Sequence, residues 1–575
     1  MPSHGTNCPI PPPAAVAPPA VRSVNGAAPP LPPDGQGPAA GFRHFLGTPA
    51  PAERCTLGRS RQQSTRDQGG RDLLARLGRC LARGADIWPG GPLDAGLEPW
   101  ENPDIPSGYT YFAQLVLHDL VLTVPSPLAM ATGAGAFRND RAVRLRLETL
   151  YGTGPAGCPH AYRFDAGQRC RLRVGPAADD PTVGRDLGRA PTPVGEGRPG
   201  SGNLTEALVA DPRNDDNLIL AQLTAVFHLL HNTVLERAAA LAPAACGSGM
   251  EVPFAFAMEA VGAVFRSCIR HDLLPRILHP AIYRRYSGTP IFIDRDVVNS
   301  RLAKASEGGL PLEFSHAVGR FGHAMVRPVY RLNDLPVEPL VANDQPGSLD
   351  NILWTTSSRV PWRLPLRREQ VIQWRHFFDV VDDVRPNLSR RIGPQTSAFD
   401  VISPGATDGL AHRDLARGGD AGIWSVTALR RNVESRAPGT TGLAPLLANW
   451  PQSQQGIRDF LDAVGGDLLD RDDIDAVAAD PPLAFFTLFE AAQPPSDGRH
   501  LGPLASVIAA EVIFGALAEA GDGKLCKLAC MIYGPSASLL HPLVDTLSQI
   551  RSMPALIRFV AAARPELQRA QPSFL

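Results

Sequence analysis

Apolar residues run almost without a break from Tyr109 to Leu122 (YTYFAQLVLHDLVL). Such a run is a buried helix or a buried strand, and its length favours a helix. On a helix Gln114 and His118 fall at i,i+4 and share a face. A second run, LILAQLTAVFHLLHNTVLERAAALA, follows the cap-forming stretch Asp211–Pro212–Arg213–Asn214–Asp215–Asp216 and predicts a long helix. Further helices are expected over Leu73–Gly84, Pro253–Leu273, Pro482–Ala491 and Leu504–Ala520. One more starts near Glu313–Phe314–Ser315 and carries Arg320, Phe321, Gly322 and His323. Residues 152–202 are rich in Gly, Pro and Arg and predict mostly loop with some short strands, and residues 360–440 are broken by Pro, Gly and Arg. No repeat of 20–50 residues emerges. The pattern is mainly helical, with few period-2 strands.

Composition adds limits. Of 575 residues 44% are apolar, enough for a sizeable core. With 56 Lys+Arg against 57 Asp+Glu the net charge is -1, which argues against a nucleic-acid coat or a polybasic membrane binder. No run of about 18 consecutive apolar residues occurs, so no membrane span is expected. The 57 prolines are roughly twice average usage and imply many irregular connections. Nine scattered cysteines, an odd number without a CxxC, support neither a disulfide framework nor a structural zinc site. Cys526 and Cys530, at i,i+4, read as two small buried apolar residues on one helix face. Residues 1–40 are Pro/Ala-rich and nearly uncharged, and read as a disordered tail. They contain no basic n-region and no unbroken apolar h-region, so the expectation is a cytoplasmic protein, with leaderless export as the alternative.

Few polar residues interrupt the apolar runs. His118 is either a hydrogen-bonded core histidine or a working one, and Gln114 adds a second polar group on its face. Arg213 is either part of a cap and salt-bridge cluster or a functional cation. His228 and His231, at i,i+3, have no HExxH and no third ligand beside them and read as structural. Gly322 leaves space next to His323, which fits both close helix packing and approach of something flat, such as a haem whose iron the histidine ligates.

Four segments then carry a resemblance. Residues 105–127 (IPSGYTYFAQLVLHDLVLTVPSP), 210–232 (ADPRNDDNLILAQLTAVFHLLHN), 311–333 (PLEFSHAVGRFGHAMVRPVYRLN) and 482–517 are similar, in order, to the animal-type haem peroxidases of the peroxidase–cyclooxygenase superfamily, and in particular to its bacterial members. PNLSRRIGPQTSAF, residues 386–399, also looks familial. The resemblance implies a mainly α, large single-domain helical fold around a buried haem, with few short strands. It spans 41–575, loosely ordered to about residue 72, behind the tail 1–40.

The resemblance also implies roles. His118 would take a proton from hydrogen peroxide and return it to the leaving oxygen, and Arg213 would stabilise the developing charge. Gln114 would position water or a halide. His323 would ligate the haem iron, with Asn432 as the acceptor for its other ring nitrogen. Arg320 would pair with a haem propionate. Electrons would come from small organic or halide-like donors. Mammalian members hold haem through esters and a sulfonium link; the corresponding positions here are Leu117, Asp216 and Asn217. Only Asp216 retains a carboxylate, so haem b is expected to be bound without covalent links and to act as a weaker oxidant. Asp119 matches a calcium ligand, but Arg146 stands where a further acidic ligand is expected; calcium is therefore doubtful, and Arg146 could replace it by pairing with Asp119 or Glu148. Two alternatives remain. A fatty-acid dioxygenase would want a Tyr three residues before His323, where Arg320 stands; a haem-binding sensor or scaffold would have no need of His118 and Arg213.

Overall fold

The computed structural model describes residues 41–57, 65–83, 97–125, 137–165, 167–177, 180–191, 204–246, 249–288, 290, 292–294, 309–327, 330–335, 366, 368–394, 410–436, 446–447, 450–520 and 524–575. The expected tail 1–40 lies outside them. Among the described residues the chain is mainly α: α1 (Thr65–Arg83), α2 (Gly108–Leu120), α3 (Leu218–Leu241), α4 (Glu251–Cys268), α5 (Leu410–Asp420), α6 (Val426–Arg436), α7 (Leu483–Ala492) and α8 (Pro503–Glu519) are its main helices before the C-terminal segments. Most buried apolar side chains form one contiguous cluster from Phe42 to Phe574, beside a small one of Leu187, Val209, Ala221 and Ala225.

The helix α3 is buried on every side, as its unbroken apolar run requires. The Asn217 side chain caps it by accepting from the Leu220 N–H at 2.8 Å. It packs between α2 and α4. By length and composition α3 and the stretch Glu251–Ile277 could each cross a membrane, but the most apolar window of α3 is 100% buried inside the fold and that of the second stretch 61%.

The polar residues of α3 serve the short strands expected in the Gly- and Arg-rich stretch 152–202, which pair as hairpins. Strands Tyr162–Asp165 and Gln168–Leu172 pair antiparallel, and Val174–Ala177 pairs with Asp180–Leu187. Asn232 both accepts from and donates to the Leu172 backbone, each at 2.9 Å. His228 Nδ1 donates to the Arg173 carbonyl at 2.6 Å, and His231 Nε2 to that of Cys170 at 2.9 Å. Both histidines are structural.

α2 is located at its start. The Tyr109 hydroxyl donates to the Asp272 carboxylate at 2.8 Å, beyond the C-terminal end of α4. The Gly108 N–H donates to the Phe377 carbonyl at 2.9 Å. A Cβ on Gly108 would lie 2.4 Å from Phe378 Cζ and 2.5 Å from Phe377 O, so only glycine admits this approach.

The helix expected from Glu313 onward is not a continuous α-helix. Leu312–Ser315 forms one turn, Ala317 breaks it at φ −139°, ψ −82°, and Val318–Met325 continues as a 3₁₀ helix. The close approach of Gly319 explains the tighter winding: its Cβ would lie 2.9 Å from Phe314 O and 3.3 Å from Leu117 Cδ2 on α2. The buried Glu313 carboxylate fixes the segment by accepting from Phe45 N (2.7 Å), His44 Nδ1 (3.0 Å) and Trp424 N (3.3 Å). Cys526 and Cys530 correct another expectation: they share a face of the helix Leu525–Tyr533, but both are exposed, because the apolar residues Leu525 and Ala529 turn the opposite face inward.

The fit at Gly108 makes a test. Gly108→Ala should lower the unfolding free energy by about 1–3 kcal/mol through overpacking, read from the urea midpoint. An unchanged midpoint would show that α2 is not pressed against Phe377 and Phe378.

Candidate active site

The turn Pro212–Asp215 lies across the C-terminal end of α2 and organises its polar residues. His118 is buried, and its Nδ1 lies 2.9 Å from Asn214 Oδ1. The orientation of Asn214 is over-determined, since its Nδ2 donates to the Thr149 carbonyl at 3.2 Å. An amide oxygen can only accept, so Nδ1 of His118 carries the proton and Nε2 keeps a bare lone pair. Burial first, and then the Arg213 and Arg141 charges, press the His118 pKa down to about 4; Asp211 and the Asn214 hydrogen bond oppose this in part. His118 is thus a neutral imidazole with one open acceptor. Gln114, one turn earlier, accepts at Oε1 from Asn217 Nδ2 at 3.1 Å.

Arg213 is brought beside His118, but its fork is largely committed. Nε and Nη2 donate to Asp211 at 3.0 and 2.6 Å, Nη2 also to the His118 carbonyl at 3.0 Å, and Nη1 to the Val121 carbonyl at 2.6 Å. These bonds engage four of its five N–H groups. The sequence did not single out Asp211, Asn214 or Arg141, and the structure makes them the framework of this cluster. Arg141 donates to the His118 carbonyl (3.1 Å) and to Asp211 (2.5 Å). Asp216 is exposed and lies outside it.

The second cluster sits on the 3₁₀ helix. With three residues per turn, Arg320 and His323 are eclipsed on one face. Both meet Asp414 of α5: His323 Nδ1 donates to Oδ2 at 2.6 Å and Arg320 Nη1 to Oδ1 at 2.9 Å. Burial would raise the Asp414 pKa, but the His323 and Arg320 charges, the hydrogen bond and Arg417 outweigh it and hold it at about 2. Asn432 is not the acceptor for His323. Its Nδ2 donates to the Ala428 carbonyl within its own helix α6 at 3.0 Å, while α5, one helix earlier, brings the carboxylate. Asp414 lies among Ala411 and Leu415 on the buried face of α5, and an acid on an apolar face was the signal that could have found it.

With Nδ1 taken up by Asp414, Nε2 is the ring nitrogen of His323 left for another partner, on a side chain 35% exposed. A Cβ on the neighbouring Gly322 would meet nothing within 4 Å, so this flank is open. The buried Nε of Arg320 has no hydrogen-bond partner. This donor set suits a haem: an imidazole backed by a carboxylate to bind iron, open space beside it, and an unsatisfied guanidinium N–H nearby.

It does not suit calcium. Asp119 has both oxygens engaged by backbone N–H groups, Leu147 at 2.9 Å and Thr149 at 3.0 Å. Burial pushes its pKa up to about 6, against the pull of those N–H groups. Among the described residues no group of three or more His, Cys, Asp or Glu could hold a metal ion. The expected pairing of Asp119 with Arg146 is likewise replaced by the two backbone donors.

For His118 the pH consequence has a definite sign. Its folded value lies below the ordinary value near 6.5, so it weakens the fold progressively as pH falls from about 6.5 towards 4. NMR of ring-labelled protein should show His118 neutral until about pH 4. A midpoint near 6.5 would mean that the ring is not buried and flanked by guanidinium as described.

Residues 168–438 match the model of the family described as Animal haem peroxidase. The fold is similar to that of peroxidase A from Dictyostelium discoideum, with a TM-score of 0.54 at 14% identity, covering 93% of this chain and 98% of that one. It is also similar to the fatty acid alpha-dioxygenases of Arabidopsis thaliana (TM-score 0.51, 13% identity, 86% and 76% covered) and Oryza sativa (0.50, 13%, 93% and 89%). At such identities the structural likeness shows the fold alone. No curated protein matches the sequence. The chain thus resembles the animal haem peroxidases over residues 168–438 and shares the fold of a peroxidase and of fatty acid alpha-dioxygenases.

Proposed function

We propose that the protein is a haem peroxidase that reduces hydrogen peroxide and oxidises small organic or halide-like donors. One observation carries this reading. Two imidazoles on touching segments each donate Nδ1–H to a fixed acceptor, one to the Asn214 amide and the other to the Asp414 carboxylate, and so each leave Nε2 as the nitrogen turned to other partners.

A haem b held without covalent links would supply an iron that peroxide oxidises by two electrons. His323 would hold that iron through Nε2, and Asp414 would orient the ring and make it a more basic ligand. Arg320 would offer its unsatisfied N–H to an anionic edge of the group. On its face of α2, neutral His118 would accept a proton from peroxide at Nε2 and return it to the leaving oxygen. The low proton affinity imposed by burial and Arg213 keeps Nε2 free to accept above about pH 4 and makes the imidazolium a willing donor. Arg213 contributes a positive field and one remaining Nη1–H to the charge that develops. Gln114, held by Asn217, positions water or a halide on that face. Leu117 cannot form an ester, and the amide of Asn217 is spent on Leu220 and Gln114. A fatty-acid dioxygenase reading lacks its tyrosine, since Arg320 occupies the position three residues before His323 and is bound to Asp414.

The decisive test is an absorption spectrum of protein supplied with haem, followed by peroxide. A Soret band at one haem per chain that changes within seconds and reverts with a phenolic donor supports the peroxidase. Haem that stays inert to peroxide would point to a sensor or scaffold. His118→Ala should slow the peroxide step by about 10²–10⁴-fold with haem retained, and the wild-type rate should fall only as pH approaches about 4.

Asp414 gives an independent check. Asp414→Asn keeps an acceptor and removes the charge, so the ferric–ferrous reduction potential should rise. An unchanged potential would deny Asp414 that role.

A further inference from the structure

The cation site implied by the resemblance is built here with the opposite polarity. A calcium site needs loop oxygens converging on the ion. At its end the loop between Arg141 and Thr149 instead turns two N–H groups, of Leu147 and Thr149, towards Asp119, while its Leu145 carbonyl accepts from Arg266 Nη1 at 3.2 Å. Val143, Leu145 and Leu147 all adopt left-handed backbone conformations, at φ 51°, 49° and 60°. Alternation of this kind makes a concave nest of N–H groups that binds an anion. Its anion is the Asp119 carboxylate, held by the N–H groups of Leu147 and Thr149.

The remaining negative charge, on Asp211, is already met by side chains. Arg141 donates to Asp211 Oδ2 at 2.5 Å, with its side chain 8% exposed and that of Asp211 1%. Arg213 binds both Asp211 oxygens, and Thr149 Oγ1 donates to Oδ2 at 3.2 Å. From the same guanidinium, Arg141 Nε reaches the His118 carbonyl at the end of α2. That end of the helix is a concentration of partial negative charge, which a cation stabilises.

We infer that Arg141 takes the place of a divalent cation: its guanidinium ties the end of α2 to Asp211, and so holds the His118 imidazole against Asn214 without a metal. Arg141 is a positioning residue in this scheme, acting through His118. The catalytic half of the inference rests on the proposed role of His118; the metal half does not.

The experiment uses the full chain loaded with haem. Metal analysis after dialysis should find far less than one calcium per chain, and a calcium chelator should leave both the unfolding midpoint and the peroxide rate unchanged. Arg141→Gln should retain haem at one per chain with an unaltered ferric spectrum, yet slow the peroxide step by about tenfold or more, the scale of effect of displaced supporting residues around a site. Arg141→Lys should recover part of the rate. Stoichiometric calcium, or activity lost to chelator and regained with calcium, would overturn the inference even if no variant folds. So would a peroxide rate in Arg141→Gln equal to that of the wild type. If wild-type protein does not react with peroxide at all, the peroxidase reading fails, while metal content and chelator resistance still decide whether the clamp is metal-free.

Discussion

The buried carboxylate of Asp211 is the point on which the His118 side of the structure depends. It lies in the turn before α3, yet it gathers Arg141 and Thr149 from a distant loop and Arg213 from its own turn. A lone buried carboxylate would be costly, and the two guanidiniums hold it firmly ionised, well below the usual carboxylate range. Their remaining donors then fall on the carbonyls of His118 and Val121. Three segments far apart in sequence are thereby locked at the end of one helix, and the imidazole of His118 inherits its place from that lock. The left-handed residues of the loop are part of the cost, roughly 1–2 kcal/mol each, offset by the bonds that they allow.

The two histidines show how one side chain is given two chemistries. Each has its tautomer fixed by an oxygen at Nδ1. Around His118 the acceptor is a neutral amide and the nearby cations disfavour protonation, which is what the proposed proton shuttle requires. Around His323 the acceptor is an ionised carboxylate, which raises the donor strength of Nε2 towards a metal. The difference lies in Asn214 and Asp414, not in the histidines.

The runs that build the fold were legible because burial on all sides leaves an unmistakable apolar stretch, as in α2 and α3. The motifs around His118, Arg213 and His323 single these residues out, and the structure sets Arg213 against the His118 carbonyl and His323 on Asp414. What was hidden depends on distant partners. His323 and Asp414 are 91 residues apart, and Asp414 lies in a stretch dense with Arg, where an acid reads as surface pairing. The resemblance around Asn432 is weak, and its helix turns the amide back onto its own backbone. The pairing of the short strands between residues 162 and 187 was masked by Gly and Arg, since the groups that satisfy their backbone, His228, His231 and Asn232, belong to α3. Cys526 and Cys530 share a face as their spacing requires, but spacing alone does not say which face of a short helix is covered.

Arg141 and Arg146 illustrate the same limit in sharper form. Both stand in RAVRLRLETLYG, at the edges of a loop whose side chains alternate between core and solvent. From sequence alone an arginine at position 146 reads as a counter-ion for Asp119 or Glu148. Three left-handed residues reverse the peptide planes, so the backbone itself satisfies Asp119 and no side-chain cation is required there. The cation is needed instead at Asp211, whose negative charge the backbone leaves uncovered on that side, and Arg141 supplies it. Loop handedness, which propensity does not encode for Val and Leu, thus decides which arginine does the work of an ion.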